Sequence, residues 1–273
     1  MDLNTVTRVV SARTRADLGG LGGGAVPLAG GSVLFAEPNP GIHTLVDLRT
    51  LDWAPFEVTE EGFDVAATAT LAELAALPDD RGWRAHPLFS QCCTALFGSF
   101  KVWNVATVGG NICTALPAGP MTSLFSALDA EALIWKADGT DQRVAVSALV
   151  TGNATTSLEP GDVLRSVHVP ARSLGSATAY RKIALSALGR SAAVVIGRRD
   201  EVDGSFVLTV SAATVRPEQL RFAGLPGASE LRAAIELIDS WFTDAHGAAD
   251  WRLAVSLVLA EEIRLELADG EAP

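Results

Sequence analysis

Leu28-Ala29-Gly30-Gly31-Ser32-Val33 and Asn104-Val105-Ala106-Thr107-Val108-Gly109-Gly110-Asn111 are two glycine-paired stretches on one chain. A glycine pair lets the backbone approach a bulky polar ligand and aim several amide N–H groups at it. Two such stretches can hold a diphosphate from both sides. The first follows Val26-Pro27-Leu28-Ala29, which reads as a short buried strand. Its glycines and the Ser32 hydroxyl suit phosphate oxygens. In the second, the Thr107 hydroxyl and the Asn111 amide flank the glycines and add groups suited to phosphate or polyol oxygens. Either stretch alone reads equally well as a tight turn. The pair, in this order, points to a ligand.

A third stretch, Gly20-Leu21-Gly22-Gly23-Gly24-Ala25, matches the letters of G-x-G-x-x-A. That dinucleotide fingerprint needs an apolar strand before it and a helix after it. Here polar Arg13-Thr14-Arg15-Ala16-Asp17 precedes and a strand-like segment follows. The order is reversed, and the stretch reads as a turn from helix to strand.

Working outward, Val6 to Val10, Val26 to Ala29 and Leu45 to Leu48 read as strands around a short helix from Arg13 to Leu18. This alternation suggests a small α/β unit with a parallel sheet. Phe56-Glu57-Val58-Thr59 and Phe63-Asp64-Val65-Ala66 flank Glu60-Glu61-Gly62 as a hairpin. Thr70-Leu71-Ala72-Glu73 is a capping box opening a helix through Leu77. His86 to Phe100 carries Leu88, Phe89, Cys92, Cys93, Leu96 and Phe97 on one helical stripe. Pro120 suits the first turn of a helix through Leu128. Ala132 to Lys136 and Gln142 to Val146 flank Asp138-Gly139 as a second hairpin, and Val163 to Val169 is a further strand. Pro170 to Ser176 has linker composition. Beyond it, strands at Thr178 to Leu185, Ala192 to Arg198 and Phe206 to Thr214 precede helices at Ser229 to Phe242 and Ala249 to Leu267. This last part is an antiparallel sheet covered by helices.

The 273 residues are 48% hydrophobic and 19% charged, a globular composition. The net charge of −11 and the lack of a Lys/Arg cluster argue against nucleic acid as a partner. There is no basic segment leading an apolar one at the N-terminus and no apolar run of about 20 residues, so the chain reads as cytoplasmic and free of membrane. Cys92, Cys93 and Cys113 read as small buried hydrophobes, since zinc and iron–sulfur sites usually take about four ligands. His43, His86, His168 and His246 are scattered, with no metal-ligand spacing. No Ser/His/Asp or paired-carboxylate set stands out, and neither a catalytic nor a metal-ligating residue is expected.

With these motifs in hand, the chain resembles the FAD-binding medium subunit of the molybdenum hydroxylases, the xanthine dehydrogenase / carbon monoxide dehydrogenase flavoprotein family. Ala29-Gly30-Gly31-Ser32 matches its first glycine motif, and Leu45-Val46-Asp47-Leu48 the Leu-Val-Asp-Leu that follows. Asn104 to Asn111 matches Asn-x-Ala-Thr-(Leu/Val/Ile)-Gly-Gly-Asn. Pro117-Ala118-Gly119, Ala127-Leu128-Asp129-Ala130, Tyr180-Arg181-Lys182-Ile183 and Trp251-Arg252 extend the likeness over nearly the whole chain.

The resemblance implies an α+β protein with a vanillyl-alcohol-oxidase-type (PCMH-type) FAD-binding fold. Two α/β subdomains, about 1–52 and 53–172, would form a domain over 1–172. A C-terminal domain of the carbon monoxide dehydrogenase flavoprotein type, an antiparallel sheet with helices, would span 177–273. It implies FAD held by Ala29, Gly30, Gly31, Ser32, Val33 and Leu34 on one side and by Thr107, Gly109, Gly110 and Asn111 on the other. Lys182 would lie near the flavin side of the domain junction. The partners implied are a small subunit with two [2Fe–2S] clusters and a large molybdopterin subunit. Electrons would reach this flavin from the clusters and leave to an external acceptor.

Two positions depart from the family pattern. Pro120 stands where relatives often carry an Asp toward the flavin's polar chain. Gly189-Arg190-Ser191 replaces a Gly-Asp-(aromatic or small) segment. Arg190 reads either as a solvent-facing charge, the reading preferred from sequence, or as a group stabilising an anion near the ring. Two other functions stay open: a flavin-free assembly subunit of the same kind of complex, and a free-standing flavin oxidase.

Overall fold

Leu45 and Val46 are buried on the middle strand of a three-stranded parallel sheet. The computed structural model describes residues 3–96 and 98–269; Phe97, expected on a helical stripe, lies outside them. The sheet holds β1 (Arg8–Ser11), β2 (Ala25–Leu28) and β3 (Thr44–Asp47) in the order β1-β3-β2. A 3-10 helix at Arg15–Gly20 joins β1 to β2, capped by Thr14 and Asp17. After it, Gly22, Gly23 and Gly24 all take positive φ in a turn bridged from Gly22 to Ala25. The reversed fingerprint is therefore a turn, as its order predicts.

The second sheet comprises β4 (Phe56–Val58), β5 (Gly62–Ala66), β6 (Glu131–Trp135), β7 (Asp141–Ala145) and, after a small hairpin of β8 (Val150–Gly152) and β9 (Thr155–Thr156), β10 (Val163–Pro170). Its order is β4-β5-β10-β6-β7, with every pair antiparallel. Six helices accompany it: α1 (Leu71–Ala75), α2 (Pro87–Ala95), α3 (Phe100–Trp103), α4 (Val108–Thr114), α5 (Pro120–Ala127) and α6 (Val146–Leu149). The Thr70–Glu73 capping box forms, with Glu73 N donating to Thr70 Oγ1 at 3.2 Å and Thr70 N to Glu73 Oε2 at 2.8 Å. All eight residues of α5 are buried, as expected of a helix with no charged side chain.

Pro170 to Ser176 is not a linker. After β10 it forms α7 (Ala171–Gly175), whose Ser173 and Leu174 are buried. Leu174 enters the main core and its carbonyl accepts from Ala85 N at 3.0 Å. Small residues here serve close packing, which composition alone does not separate from flexibility.

The third sheet is antiparallel, β11 (Ala177–Ile183), β12 (Ala193–Arg199), β13 (Phe206–Ser211) and β14 (Glu218–Phe222) in that order. Sequence reading missed β14, a polar strand whose side chains are mostly half-buried. Helices α8 (Ala228–Glu236) and α9 (Ala249–Asp269) complete this part. Helix α8 stops at Glu236, short of the expected Phe242. Beyond it the backbone pairs with the end of the sheet, Val215 N to Ser240 O and Phe242 N to Ala213 O, both at 2.8 Å. β12 is buried on both faces. Ala193 and Val195 face α8 and α9, while Val194 and Ile196 join the core around α5. Side-chain alternation carries Arg198 to that same α5 side. There it donates to Ala127 O at 2.9 Å and Ser173 Oγ at 3.1 Å, and it pairs with Asp129.

Candidate functional site

Strand β2 ends at Leu28, and the chain then turns through Gly30 and Gly31. Gly31 has φ +71°, a region where a side chain is strained. Phe35 N donates back to Gly31 O at 2.9 Å. Among the described residues, the amides of Gly30, Gly31, Ser32, Val33 and Leu34 reach no protein acceptor. They form a run of unspent donors beside a cavity of about 510 Å³, within the range of about 300–1,000 Å³ usual for small-ligand sites.

The second glycine stretch meets the first. A Cβ built on Gly30 would stand 1.6 Å from Val105 O and 3.3 Å from Ala106 Cα. Yet this stretch is not a loop of free amides. Thr107 caps α4, and Gly109, Gly110 and Asn111 lie in its first turns. Its donors are consumed inside the protein: Val108 N by Ala69 O at 2.8 Å, Gly109 N by Ala67 O at 2.9 Å, and Gly110 N by Thr107 Oγ1 at 3.1 Å. Gly109 is glycine because a Cβ there would meet Ala67 Cβ at 2.5 Å. The expectation that both stretches offer amides is corrected to an asymmetric clasp. One side donates, and the other supplies a close backbone wall.

Asn111 has a double role. Its Oδ1 accepts from Met121 N at 3.0 Å and caps α5, while its side chain also lines the cavity. This explains Pro120, which is the first residue of α5, has no N–H to satisfy, and does not line the cavity. The walls are otherwise apolar, from Leu28, Leu48, Leu96, Ala118, Leu158 and Leu164 among others. Asp162, also lining, accepts from Lys136 Nζ at 2.6 Å, Glu159 N at 2.9 Å and Ala137 N at 3.2 Å. Burial pushes its carboxyl up, but these hydrogen bonds outweigh burial and hold it below the ordinary carboxylate value.

The cavity lining thus brings together Ala29, Gly30, Gly31, Ser32, Val33, Leu34, Thr107, Gly109, Gly110 and Asn111. Lys182 is not among the lining residues. It follows Tyr180 on the face of β11 turned to the main core, and the cavity ends short of it. Arg190 lines the cavity instead, against the preferred solvent-facing reading. Cys92 and Cys93 are buried as expected, but Cys113 is exposed and borders the cavity. Sequence reading also missed Asp162; its only local signal is Glu159-Pro160-Gly161-Asp162, a turn before β10.

A largely apolar-walled cavity with one amide-rich edge is the site of a nucleotide-cofactor protein. Residues 4–172 match the family described as the FAD binding domain in molybdopterin dehydrogenase, and the chain belongs to that family. Its cofactor is FAD, and the lining fits it: free amides for a diphosphate and apolar walls for rings. The chain is similar to the carbon monoxide dehydrogenase medium chain of Afipia carboxidovorans, 29% identical over 166 residues that cover 60% of this chain and 57% of that one. It is also similar to xanthine dehydrogenase of Oryza sativa subsp. japonica, 28% identical over 143 residues, 48% of this chain and 9% of that protein. The matches therefore span little over half of the first relative and a small part of the second. In fold the chain is similar to reconstituted CO dehydrogenase from Oligotropha carboxidovorans, with a TM-score of 0.85 and 21% identity over 100% of both chains. Quinoline 2-oxidoreductase from Pseudomonas putida 86 has a TM-score of 0.79 and 20% identity, covering 99% of each chain.

Proposed function

We propose that this chain is the FAD-carrying electron-transfer subunit of a molybdenum hydroxylase. It receives electrons from the [2Fe–2S] clusters of a small subunit, in a complex that also holds a large molybdopterin subunit, and passes them to an external acceptor. The observation that carries this reading is the cavity where the Gly30-Gly31 turn meets α4, within a family match over residues 4–172. When bound, FAD supplies the redox chemistry. The amides of Gly30 to Leu34 would take the diphosphate, while Thr107 and Asn111, whose Oγ1 and Oδ1 accept from Gly110 N and Met121 N, would line the same cavity. The apolar walls exclude water from the ring.

The division into 1–52, 53–172 and 177–273 belongs to the same proposal. It is supported by each sheet's falling within one of these spans. No helix among the described residues is long and apolar enough to cross a membrane. A free-standing oxidase would need a substrate pocket of its own beside the cofactor site.

The test is purification with neighbouring subunits present. Expected are one FAD released on denaturation per chain and co-elution with an iron–sulfur and a molybdopterin subunit. FAD without partners would favour the oxidase. Partners without FAD would favour the assembly subunit.

A further inference from the structure

Among the described residues that line the cavity, Asp162 is the one acid. A bare carboxylate there would oppose the occupant. The diphosphate of FAD is doubly negative, and like charges repel more strongly where water is excluded. The fold sets this wall beside the strand that leads to the amide-rich edge. Asp162 runs into β10, whose first residue, Val163, shares a small core with Val46 and Leu48. Asp47, between those two, is registered with Leu28, two residues before Gly30.

The charge of Asp162 is met from outside the lining. Its side chain is 1% exposed and accepts from Lys136 Nζ at 2.6 Å, with Glu159 N and Ala137 N as further donors. Lys136 follows β6, and Trp135 is registered with Val163, so the ammonium reaches Asp162 across neighbouring strands. Lys136 itself does not line the cavity. Its other partner, the Glu159 carboxylate at 2.9 Å, is exposed and screened by solvent. The β-ladder already joins β6 to β10, and a buried ion pair adds little stability over an apolar pair of the same shape. What the ammonium adds is cancellation of the one negative charge on the cavity wall.

We propose that Lys136 neutralises the acidic wall of the cavity and so admits an anionic cofactor. It is a positioning residue that acts through Asp162 and does not touch the ligand. The proposal rests on the FAD reading above.

The experiment measures, on the full chain stripped of flavin, the affinity for FAD and for riboflavin, which lacks phosphate. A pH of about 8 keeps the carboxylate ionised. It compares wild type, Lys136→Met, Lys136→Arg, Asp162→Asn and the double variant with Lys136→Met and Asp162→Asn. Lys136→Met is expected to bind FAD about tenfold more weakly, and Asp162→Asn about threefold more tightly, because the charge left in the latter lies farther from the cavity. The double variant and Lys136→Arg should both stay within about twofold of wild type for FAD, and so should Lys136→Met for riboflavin, since in each case the charge facing the ligand or the ligand's own charge is absent or balanced. A pair that only pins the strands gives another pattern: every loss loosens the wall, so Asp162→Asn also weakens FAD. Equal or weaker FAD binding by Asp162→Asn overturns the proposal. So do equal losses of FAD and riboflavin in Lys136→Met. If one of these two single variants does not fold, the other decides. Wild-type protein that takes up no FAD defeats the FAD reading itself, a result distinct from all of these.

Discussion

Gly30 lies against the carbonyl of Val105 so closely that a methyl group on its Cα would stand 1.6 Å from the oxygen. This contact closes the cavity at its amide-rich edge and joins two segments far apart in the chain.

Gly30→Ala must therefore push the two segments apart. The expected cost is about 1–3 kcal/mol of stability, typical of overpacking, together with loss of FAD. A denaturant midpoint and the fluorescence of released flavin measure both. Gly175→Ala, where an added Cβ meets nothing within 4 Å, is the control and should leave both unchanged.

Gly110→Asp separates binding from folding. Gly110 sits in the first turn of α4, where an acidic residue suits the helix dipole. An added Cβ meets only Thr107 Oγ1, at 2.8 Å. The melting transition should fall by the equivalent of about 0.5–2 kcal/mol, the cost of disturbing the Thr107 cap, while the new carboxylate repels the diphosphate and FAD content falls to near zero. Full retention of FAD in this variant would remove the clasp from the binding site.

Asp162 links the site to pH. Its carboxyl is held below the ordinary value of 3.8 in the folded chain. Its stabilising contribution is therefore complete above that value and is lost as pH falls through the lower folded one. Asp162→Asn should cost about 1–3 kcal/mol at neutral pH. The gap to wild type should narrow in urea titrations carried progressively below the ordinary carboxylate pKa. A constant gap across that range would contradict the assignment.

Arg198 tests the join between α5 and the third sheet. It is buried and serves Ala127 O, Ser173 Oγ and Asp129 at once. Asp129 keeps Arg221 and Gln219 when Arg198 is lost, so Arg198→Ala should cost about 3 kcal/mol, the lower end for breaking a buried pair. Equilibrium unfolding in urea provides the comparison. Arg198→Met, which fills much of the volume, should recover part of the loss.

Local signals carried much of this architecture. The Thr70–Glu73 box, the Asp138-Gly139 turn and the apolar runs of β3, β10 and β12 each act through neighbours in sequence, and the structure places elements there. Gly30 and Gly109 also stood out, but their reason did not. Gly109 answers to Ala67 and Gly30 to Val105, contacts that only the tertiary fold reveals. For the same reason, Thr107 to Asn111 read as an amide loop although it is a capped helix with its donors spent. Arg190 could not be placed, because nothing near it in sequence tells that its segment borders the cavity. Leu174 was hidden by the small residues around it, and β14 by its polar, half-buried side chains.

The cavity lining is drawn from residues 27–34, from Leu48, Ala67, Leu96 and Val102, from positions between 106 and 119 and between 158 and 164, and from Arg190, and none of these pieces makes the site alone. A nucleotide gripping all of them adds its binding free energy to the cohesion of the whole molecule, scaling as RT ln(1 + [L]/Kd). Thermal resistance should thus climb with free FAD concentration in the intact chain, so that cofactor supply, as much as amino-acid composition, governs how long this protein survives heating.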